Sequence, residues 1–228
     1  MVMAEATNHY FKHLGVSDGL SQVCIPSIYQ DELGAVWLGT TEGLNRYNGK
    51  DVRVFQPSES NHGLTNNEIN ELCGDKNGRM YIRSGNDLIK LDIYTEQFTC
   101  LRQKGVYGLF CKKDTLWVSC ADGIYYYTGQ GTELTFFARV QKGFVGRALY
   151  VDRETVWVVT RKYLVAISRE DPLRQEILLT LDKGNCILGD SSGNIWVGAW
   201  NGLALNEVRA RVDLPAKSAK NKTEFMKL

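Results

Sequence analysis

Short apolar segments separated by polar turns recur along the chain, a pattern typical of β-strands. It is clearest in residues 31–47, where the turn Asp31-Glu-Leu-Gly34 precedes the apolar run Ala35-Val-Trp37-Leu and a second, glycine-containing turn precedes Leu44-Asn-Arg-Tyr47. Asp and Gly favour such turns because Asp bonds to its own backbone and Gly adopts positive φ. Related segments follow four more times, so the chain is built of repeats.

Each repeat contains one large aromatic residue, which we call its anchor: Trp37, Tyr81, Trp117, Trp157 and Trp196. Successive anchors are 44, 36, 40 and 39 residues apart, a spacing typical of propeller blades. Seven residues after each anchor stands a branched apolar residue: Leu44, Leu88, Ile124, Leu164 and Leu203. The repeats therefore predict an all-β fold, a β-propeller of about five four-stranded blades.

The repeats place this propeller at residues 10–208, after a disordered segment, 1–9, and before a polar C-terminal tail, 209–228. The fifth repeat predicts only three strands, whereas Tyr10–Leu14 predicts a lone strand ahead of the first repeat. That strand would complete the last blade, and the ring would close without open edges. Two interpretations follow: a closed five-bladed ring, or part of a larger, seven-bladed propeller.

The recurring residues favour structural roles. We expect the anchors to fill the space between neighbouring blades, each burying about 150–250 Å². Aspartates recur at one turn position, which indicates turn formation rather than catalysis: Asp31, Asp75, Asp152 and Asp190.

Composition excludes several classes of partner. The 27 basic and 26 acidic residues give a net charge of +1 without long runs, which argues against nucleic acid and anionic membranes. No apolar run approaches the roughly 18 residues of a membrane helix, and residues 1–20 lack the apolar core of a signal peptide. We therefore expect a soluble chain that does not itself insert into a membrane.

The six cysteines do not suggest a metal site, because they form no Cys-x-x-Cys pair and no histidine lies at ligand spacing. No cofactor is predicted either. Most of the cysteines lie in strand-like runs, where they serve as small buried apolar residues. Their even number also permits disulfides in an oxidising compartment, but the sequence does not pair them.

Three phrases carry a resemblance to a known family: Asp18-Gly-Leu-Ser21, Ile28–Thr40 and Glu42-Gly-Leu-Asn-Arg-Tyr-Asn-Gly49. Together they resemble the two-component regulator propeller repeat of the periplasmic sensor regions of hybrid two-component systems in Bacteroides-type bacteria. The resemblance spans roughly residues 10–207 and is weakest in the third and fourth repeats.

The resemblance implies a periplasmic sensor module that binds an oligosaccharide or another small polar ligand and forms a homodimer through the full-length receptor. Receptors of this family carry two seven-bladed propellers and a small β-sandwich ahead of a membrane helix and a histidine kinase. This chain has about five repeats and none of those other parts, so the resemblance implies signalling through kinase parts outside it.

A ligand site is expected where the turns between second and third strands converge, on the face that also carries the crossovers between blades. These turns differ in chemistry while the flanking strands do not, which is typical of adjustable loops on a scaffold. Trp200 offers a flat face for a sugar ring beside Asn201, and the bulky turn Arg161-Lys162-Tyr163 suits an acidic sugar. The candidate ligand-binding residues are Glu42, Asn86, Asp122, Arg161, Lys162, Tyr163, Trp200 and Asn201.

Three hypotheses follow for the function. The favoured one is a ligand-sensing module without catalytic residues. The second is a propeller-type glycosidase or lyase, for which Glu42, Asp87 and Asp122 are the only loop candidates and no pair stands out. The third is a non-catalytic interaction scaffold, because a fold does not by itself determine function.

Overall fold

The computed structural model describes residues 12–57, 63–102, 104–200, 202–206 and 224–226. The described residues form twenty strands in five four-stranded antiparallel sheets, and the strands of each sheet lie in chain order. Each sheet is one blade, so the predicted all-β propeller with five blades is confirmed. Two short 3-10 helices, Val16–Asp18 and Gln141–Gly143, accompany the strands, and no helix in the described part of the chain is long and apolar enough to cross a membrane.

Blade one consists of β1 (Ser27–Gln30), β2 (Val36–Thr40), β3 (Gly43–Tyr47) and β4 (Val52–Phe55). Blade two consists of β5 (Ile69–Gly74), β6 (Arg79–Ser84), β7 (Asp87–Asp92) and β8 (Gln97–Arg102). Blade three consists of β9 (Val106–Lys112), β10 (Thr115–Cys120), β11 (Gly123–Tyr127) and β12 (Thr135–Ala138).

Blade four consists of β13 (Gly146–Val151), β14 (Thr155–Thr160), β15 (Tyr163–Ser168) and β16 (Gln175–Thr180). Blade five consists of β17 (Cys186–Gly189), β18 (Ile195–Ala199), β19 (Gly202–Asn206) and β20 (Glu224–Met226). Contacts between blades run through the first strands, so β1, β5, β9, β13 and β17 form the inner layer.

The last blade differs from the prediction. Its fourth strand is β20, which pairs with β19 and comes from the segment that we expected to be only a polar tail. The prediction that Tyr10–Leu14 supplies this strand is wrong: residues 12–14 are not in a strand, and Tyr10 and Phe11 lie outside the described residues. The outermost strand of a blade pairs along one edge only, so a short extended segment is enough to form it. The sequence pattern therefore does not distinguish residues 10–14 from residues 224–226 as the fourth strand of blade five.

The turn aspartates hold the anchors in place. Asp31 accepts hydrogen bonds from the backbone N–H groups of Leu33 and Ala35 at 3.0 and 2.9 Å, while its other oxygen accepts the indole N–H of Trp37 at 2.7 Å. The same arrangement joins Asp152 to Trp157 at 2.7 Å and Asp190 to Trp196 at 3.0 Å. These contacts confirm that the aspartates form turns.

Two blades depart from this arrangement. In blade two the anchor is Tyr81, and Asp75 pairs instead with the guanidinium of Arg79. In blade three Lys112 stands five residues before Trp117, where blade four has Asp152 five residues before its anchor. The third anchor is held by rings, with Phe137 and Tyr126 at centroid distances of 5.0 and 5.6 Å.

The core lies between blades. Four clusters of buried residues occupy the four interfaces between successive blades, and Trp37, Tyr81, Trp117 and Trp157 each belong to one of them. These four anchors are 5% exposed or less, which confirms their predicted packing role. In the described part of the chain no buried cluster joins blade five to blade one. Accordingly Ile28 of blade one and Leu188 of blade five are both 63% exposed.

Replacing Trp157 with Ala should lower the free energy of unfolding by about 3–5 kcal/mol, because the ring fills the interface between blades four and five. Trp196→Ala is the matched control, since this half-buried indole also bonds to a turn aspartate but belongs to no interface cluster. We expect it to cost about 1–2 kcal/mol in urea denaturation. Equal losses in both variants would contradict the assigned role of the interface.

The turn of blade five should make stability depend on acid pH. Hydrogen bonds from the Trp196 indole and from Asn194 lower the pKa of Asp190 to about 2. Because the unfolded pKa is about 3.9, this stabilisation is complete above pH 4 and is lost as the pH falls towards 2. The stability difference between wild type and Asp190→Asn should therefore shrink over that range in pH-dependent denaturation, and a constant difference would contradict this assignment.

Candidate functional site

The candidate site is a cavity of about 340 Å³ between blades four and five, on the face of the turns between second and third strands. It is lined by the turn after β14, the crossover between β16 and β17, and the ends of β13 and β18. The lining residues are Arg147, Arg161, Lys183, Gly184, Asn185, Cys186, Gly198, Ala199 and Trp200.

Backbone hydrogen bonds fix the crossover against the neighbouring turns. The N–H of Gly184 donates to the carbonyl of Arg161 at 3.0 Å, and the N–H of Trp200 donates to the carbonyl of Asp182 at 2.9 Å. A Cβ on Gly184 would lie 2.4 Å from the carbonyl oxygen of Thr160, so only glycine permits this close approach. The residues on either side of the crossover are thus held in position by the scaffold.

The turn that carries Arg161 is capped by a side chain. The Thr160 hydroxyl accepts the N–H of Tyr163 at 2.9 Å and donates to the carbonyl of the same residue at 3.0 Å. This bonding keeps the turn tight and leaves the Arg161 side chain exposed at the cavity.

The cavity is strongly cationic. Its lining contains Arg147, Arg161 and Lys183 but no carboxylate. No ion pair joins any of these three cations to an acidic side chain among the described residues. Their positive charge is therefore available to an anion entering from solvent.

Trp200 stands at the mouth of the cavity and is 79% exposed. The Lys183 ammonium lies 5.0 Å from the centroid of its ring, within the range of a cation–π contact. An exposed aromatic face beside cations and the amide of Asn185 can stack on a ring while polar groups bond to its substituents.

The structure brings two of the predicted site residues together, Arg161 and Trp200. Lys162 and Tyr163 do not line the cavity; the Tyr163 ring packs on Phe144 at a centroid distance of 4.9 Å. Asn201 lies outside the described residues.

The remaining predicted residues lie in other blades. Glu42 is exposed in the turn of blade one, and Asn86 is exposed in blade two, where its carbonyl accepts the N–H of Val106. Asp122 of blade three pairs with Arg102 at 2.8 Å and accepts the Tyr125 hydroxyl at 2.9 Å. Partial burial opposes ionisation of this carboxyl, but those hydrogen bonds outweigh it and hold its pKa below the usual value.

Sequence reasoning missed Arg147, Lys183 and Asn185. The predicted site lies on the turns between second and third strands, whereas these three residues lie at the start of β13 and in the crossover between blades. The signal was present, since crossovers share a face with those turns. The crossover Asp182-Lys-Gly-Asn185 also has the composition of a tight turn.

A second cavity of about 620 Å³ lies on the opposite face, between blades three and four. Its lining mixes both charges, because the carboxylates of Asp114 and Asp152 lie among four cations: Lys112, Lys113, Arg153 and Arg169. Asp152 already bonds to the turn and to an anchor, and the mixed charges favour an anion less than the first cavity does.

One half-buried carboxyl has a pKa near neutral. Burial raises the pKa of Glu71 to about 7, although the Arg83 guanidinium at 3.4 Å and the Leu109 N–H at 3.1 Å both lower it. Through the bond from Leu109, Glu71 links β5 to β9 of the next blade, whereas Arg83 lies on β6 of its own blade. Among the described residues no group of three or more His, Cys, Asp or Glu side chains is placed to hold a metal ion.

Comparisons with known proteins agree with this fold. Residues 19–42 match the family model described as two component regulator propeller. A stretch of 53 residues is 38% identical to Histidine kinase P4 of Formosa agariphila, covering 23% of this chain and 4% of that protein.

Two solved structures extend the comparison. The extracellular domain of a proposed hybrid two-component system from B. thetaiotaomicron superposes with a TM-score of 0.76 and 24% identity, over 87% of this chain and 30% of that one. Streptogramin B lyase superposes with a TM-score of 0.63 and 16% identity, over 86% of this chain and 72% of that one. At these identities the superpositions establish the fold only, and the fold is shared by sensors and enzymes.

The family match covers the start of blade one, where the resemblance in sequence is strongest. The chain spans a small part of the kinase and less than a third of the extracellular domain that it matches. The described residues form five propeller blades, residues 19–42 match the two component regulator propeller model, and the fold is similar to that of the extracellular domain of a hybrid two-component system.

Proposed function

We propose that this propeller is the ligand-sensing module of a two-component receptor and that it binds an acidic glycan fragment in the cavity between blades four and five. The observation that carries the proposal is the convergence of Arg147, Arg161 and Lys183 around the exposed ring of Trp200, with no carboxylate in the lining.

The chemistry of the lining suits a sugar acid. A guanidinium binds a carboxylate or sulfate through two parallel hydrogen bonds, and an ammonium adds a point charge. The indole face provides apolar contact for the C–H face of a pyranose ring. An oligosaccharide carrying carboxylate or sulfate groups satisfies both parts of the site.

The location of the site suits signalling. Arg147 and Arg161 belong to blade four, whereas Asn185 and Trp200 belong to the crossover and blade five. A ligand that bridges them favours one arrangement of the two blades, and such a difference in affinity is what a signal requires. We propose that the module acts in the periplasm, in a receptor that dimerises through its full length and passes the signal to kinase parts outside this chain.

The enzyme alternative has less support. Of its candidate carboxylates, Asp122 is paired with Arg102, Asp87 accepts the backbone N–H of Lys104, and Glu42 is exposed in blade one. None of the three lines the cationic cavity. The similarity to streptogramin B lyase is one of fold and does not by itself support an enzymatic function. The positions of the three carboxylates therefore favour ligand binding over catalysis.

The ligand class can be tested by calorimetry with oligogalacturonides and sulfated disaccharides against neutral cello-oligosaccharides. Acidic ligands should bind and neutral ones should not, and the affinity should fall as salt is raised. Replacing Arg161 with Ala should weaken binding about 10- to 100-fold, as expected for a lost charge-assisted pair.

Arg153→Ala is the matched control, because it removes the same side chain from the opposite cavity and should leave affinity unchanged. Loss of binding in Arg153→Ala but not in Arg161→Ala would place the ligand on the other face and contradict the proposal. Release of new reducing ends from a bound oligosaccharide would contradict a purely sensing role.

The role of Trp200 can be followed by its fluorescence, since it is far more exposed than the anchor tryptophans. An acidic ligand should quench or shift the emission of wild type, and Trp200→Phe should abolish this signal while calorimetry still detects binding. Trp200→Ala should weaken binding about 5- to 100-fold because the stacking surface is lost. An unchanged affinity in Trp200→Ala would show that the ring does not contact the ligand.

A further inference from the structure

Two cysteines of different blades face each other in the inner layer of the propeller. Cys73 lies on β5 of blade two and Cys111 on β9 of blade three, and their Sγ atoms are 2.9 Å apart. That separation is within about 0.9 Å of the ~2.05 Å length of a disulfide bond. Both residues are half-buried against the cluster that joins these two blades.

Residues at the positions equivalent to Cys73 and Cys111 are also in contact at other interfaces between blades. Tyr29, Cys73 and Tyr150 each pair with the anchor of their own blade, so they occupy one equivalent position. In the following blade, the residues that meet them are Gly74, Cys111 and Gly189.

At the interfaces between blades one and two and between blades four and five, one partner is large and the other has no side chain. A Cβ on Gly74 would lie 2.2 Å from the Tyr29 hydroxyl oxygen, and a Cβ on Gly189 would lie 2.0 Å from the Tyr150 ring. Between blades two and three, the fold brings two thiols together instead. The close approach therefore follows from the repeat and not only from the placement of two rotamers.

We propose that Cys73 and Cys111 form a disulfide that links blade two to blade three in an oxidising compartment. The oxidant is a disulfide R–S–S–R, either a small molecule or a protein thiol oxidant. One cysteine thiolate attacks it, which releases R–SH and leaves a mixed disulfide. The second cysteine then displaces the other R–SH, so two S–H bonds are lost, one S–S bond forms in the protein, and the reagent leaves as two thiols.

The surroundings determine how the bond behaves. Burial raises the pKa of Cys73, so the thiolate is scarce and the exchange is slow once the propeller has folded. Once formed, the bond is shielded from reducing thiols for the same reason. It closes a segment of 38 residues and so constrains the unfolded chain.

The other cysteines have no such partner in the described residues. Cys24 and Cys186 are exposed, Cys100 is half-buried and Cys120 is buried, and no contact between sulfur atoms involves any of them. The proposal therefore specifies one pairing among the six cysteines.

The pairing is tested by incubating reduced protein with oxidised glutathione and mapping its peptides by mass spectrometry under non-reducing conditions. We expect a loss of about 2 Da for one disulfide and a cross-linked peptide that contains Cys73 and Cys111. Six free thiols after oxidation, or a bond between other cysteines, would overturn the proposal.

Its effect is tested by comparing the melting temperature of each protein in the oxidised and the reduced state. Oxidation should raise the melting temperature of wild type by roughly 5–15 °C. The increase should vanish in Cys73→Ser and in Cys111→Ser and persist in the control Cys100→Ser. Since each variant is compared with itself, destabilisation by the substitution does not affect the outcome. An increase that survives in Cys73→Ser, or none in wild type, would overturn the link between the blades.

Discussion

The structure depends on burying one large aromatic side chain between each pair of successive blades. A four-stranded sheet of this size has two apolar faces and is not stable alone, so each blade needs a neighbour. Each of the four interface clusters contains one anchor among branched apolar side chains, and in three blades a turn aspartate fixes the indole by accepting its N–H. The same carboxylate closes the tight turn, so one residue couples the local fold of a blade to its packing.

Because the aspartate turns and anchors hold the blades together, the turns and crossovers on the opposite face can vary in sequence. The aspartate turns lie at one end of the blades, whereas the cationic cavity is built at the other end from turns and crossovers. Close backbone contact at Gly184 and the hydroxyl cap of Thr160 position the cavity loops without using their exposed side chains. Blades four and five therefore present Arg161, Lys183 and Trp200 on a rigid scaffold, which limits the entropy lost when a ligand binds.

Much of the fold could be predicted from the sequence because the anchors and turns recur at a regular spacing. The strand pattern of one repeat alone is weak, but five repeats together indicate propeller blades. The outermost strand of blade five could not be predicted, because it is only three residues long and pairs along one edge, so its sequence shows no clear strand pattern. Of the residues predicted for the site, Arg161 and Trp200 line the cationic cavity, and their bulk is what departs from the repeat in sequence. The sequence did not indicate Arg147 and Lys183, because only the three-dimensional approach of a crossover to the start of β13 brings them into the cavity.

Our main proposal is that the face between blades four and five holds the ligand site. It is tested most directly by NMR titration of the labelled protein with an oligogalacturonide, following backbone amides around the whole propeller. We expect shifts confined to residues near Arg147, Arg161, the Lys183–Cys186 crossover and Trp200. Shifts centred on Lys112, Arg153 and Arg169 at the opposite cavity, or none at saturating ligand, would contradict it.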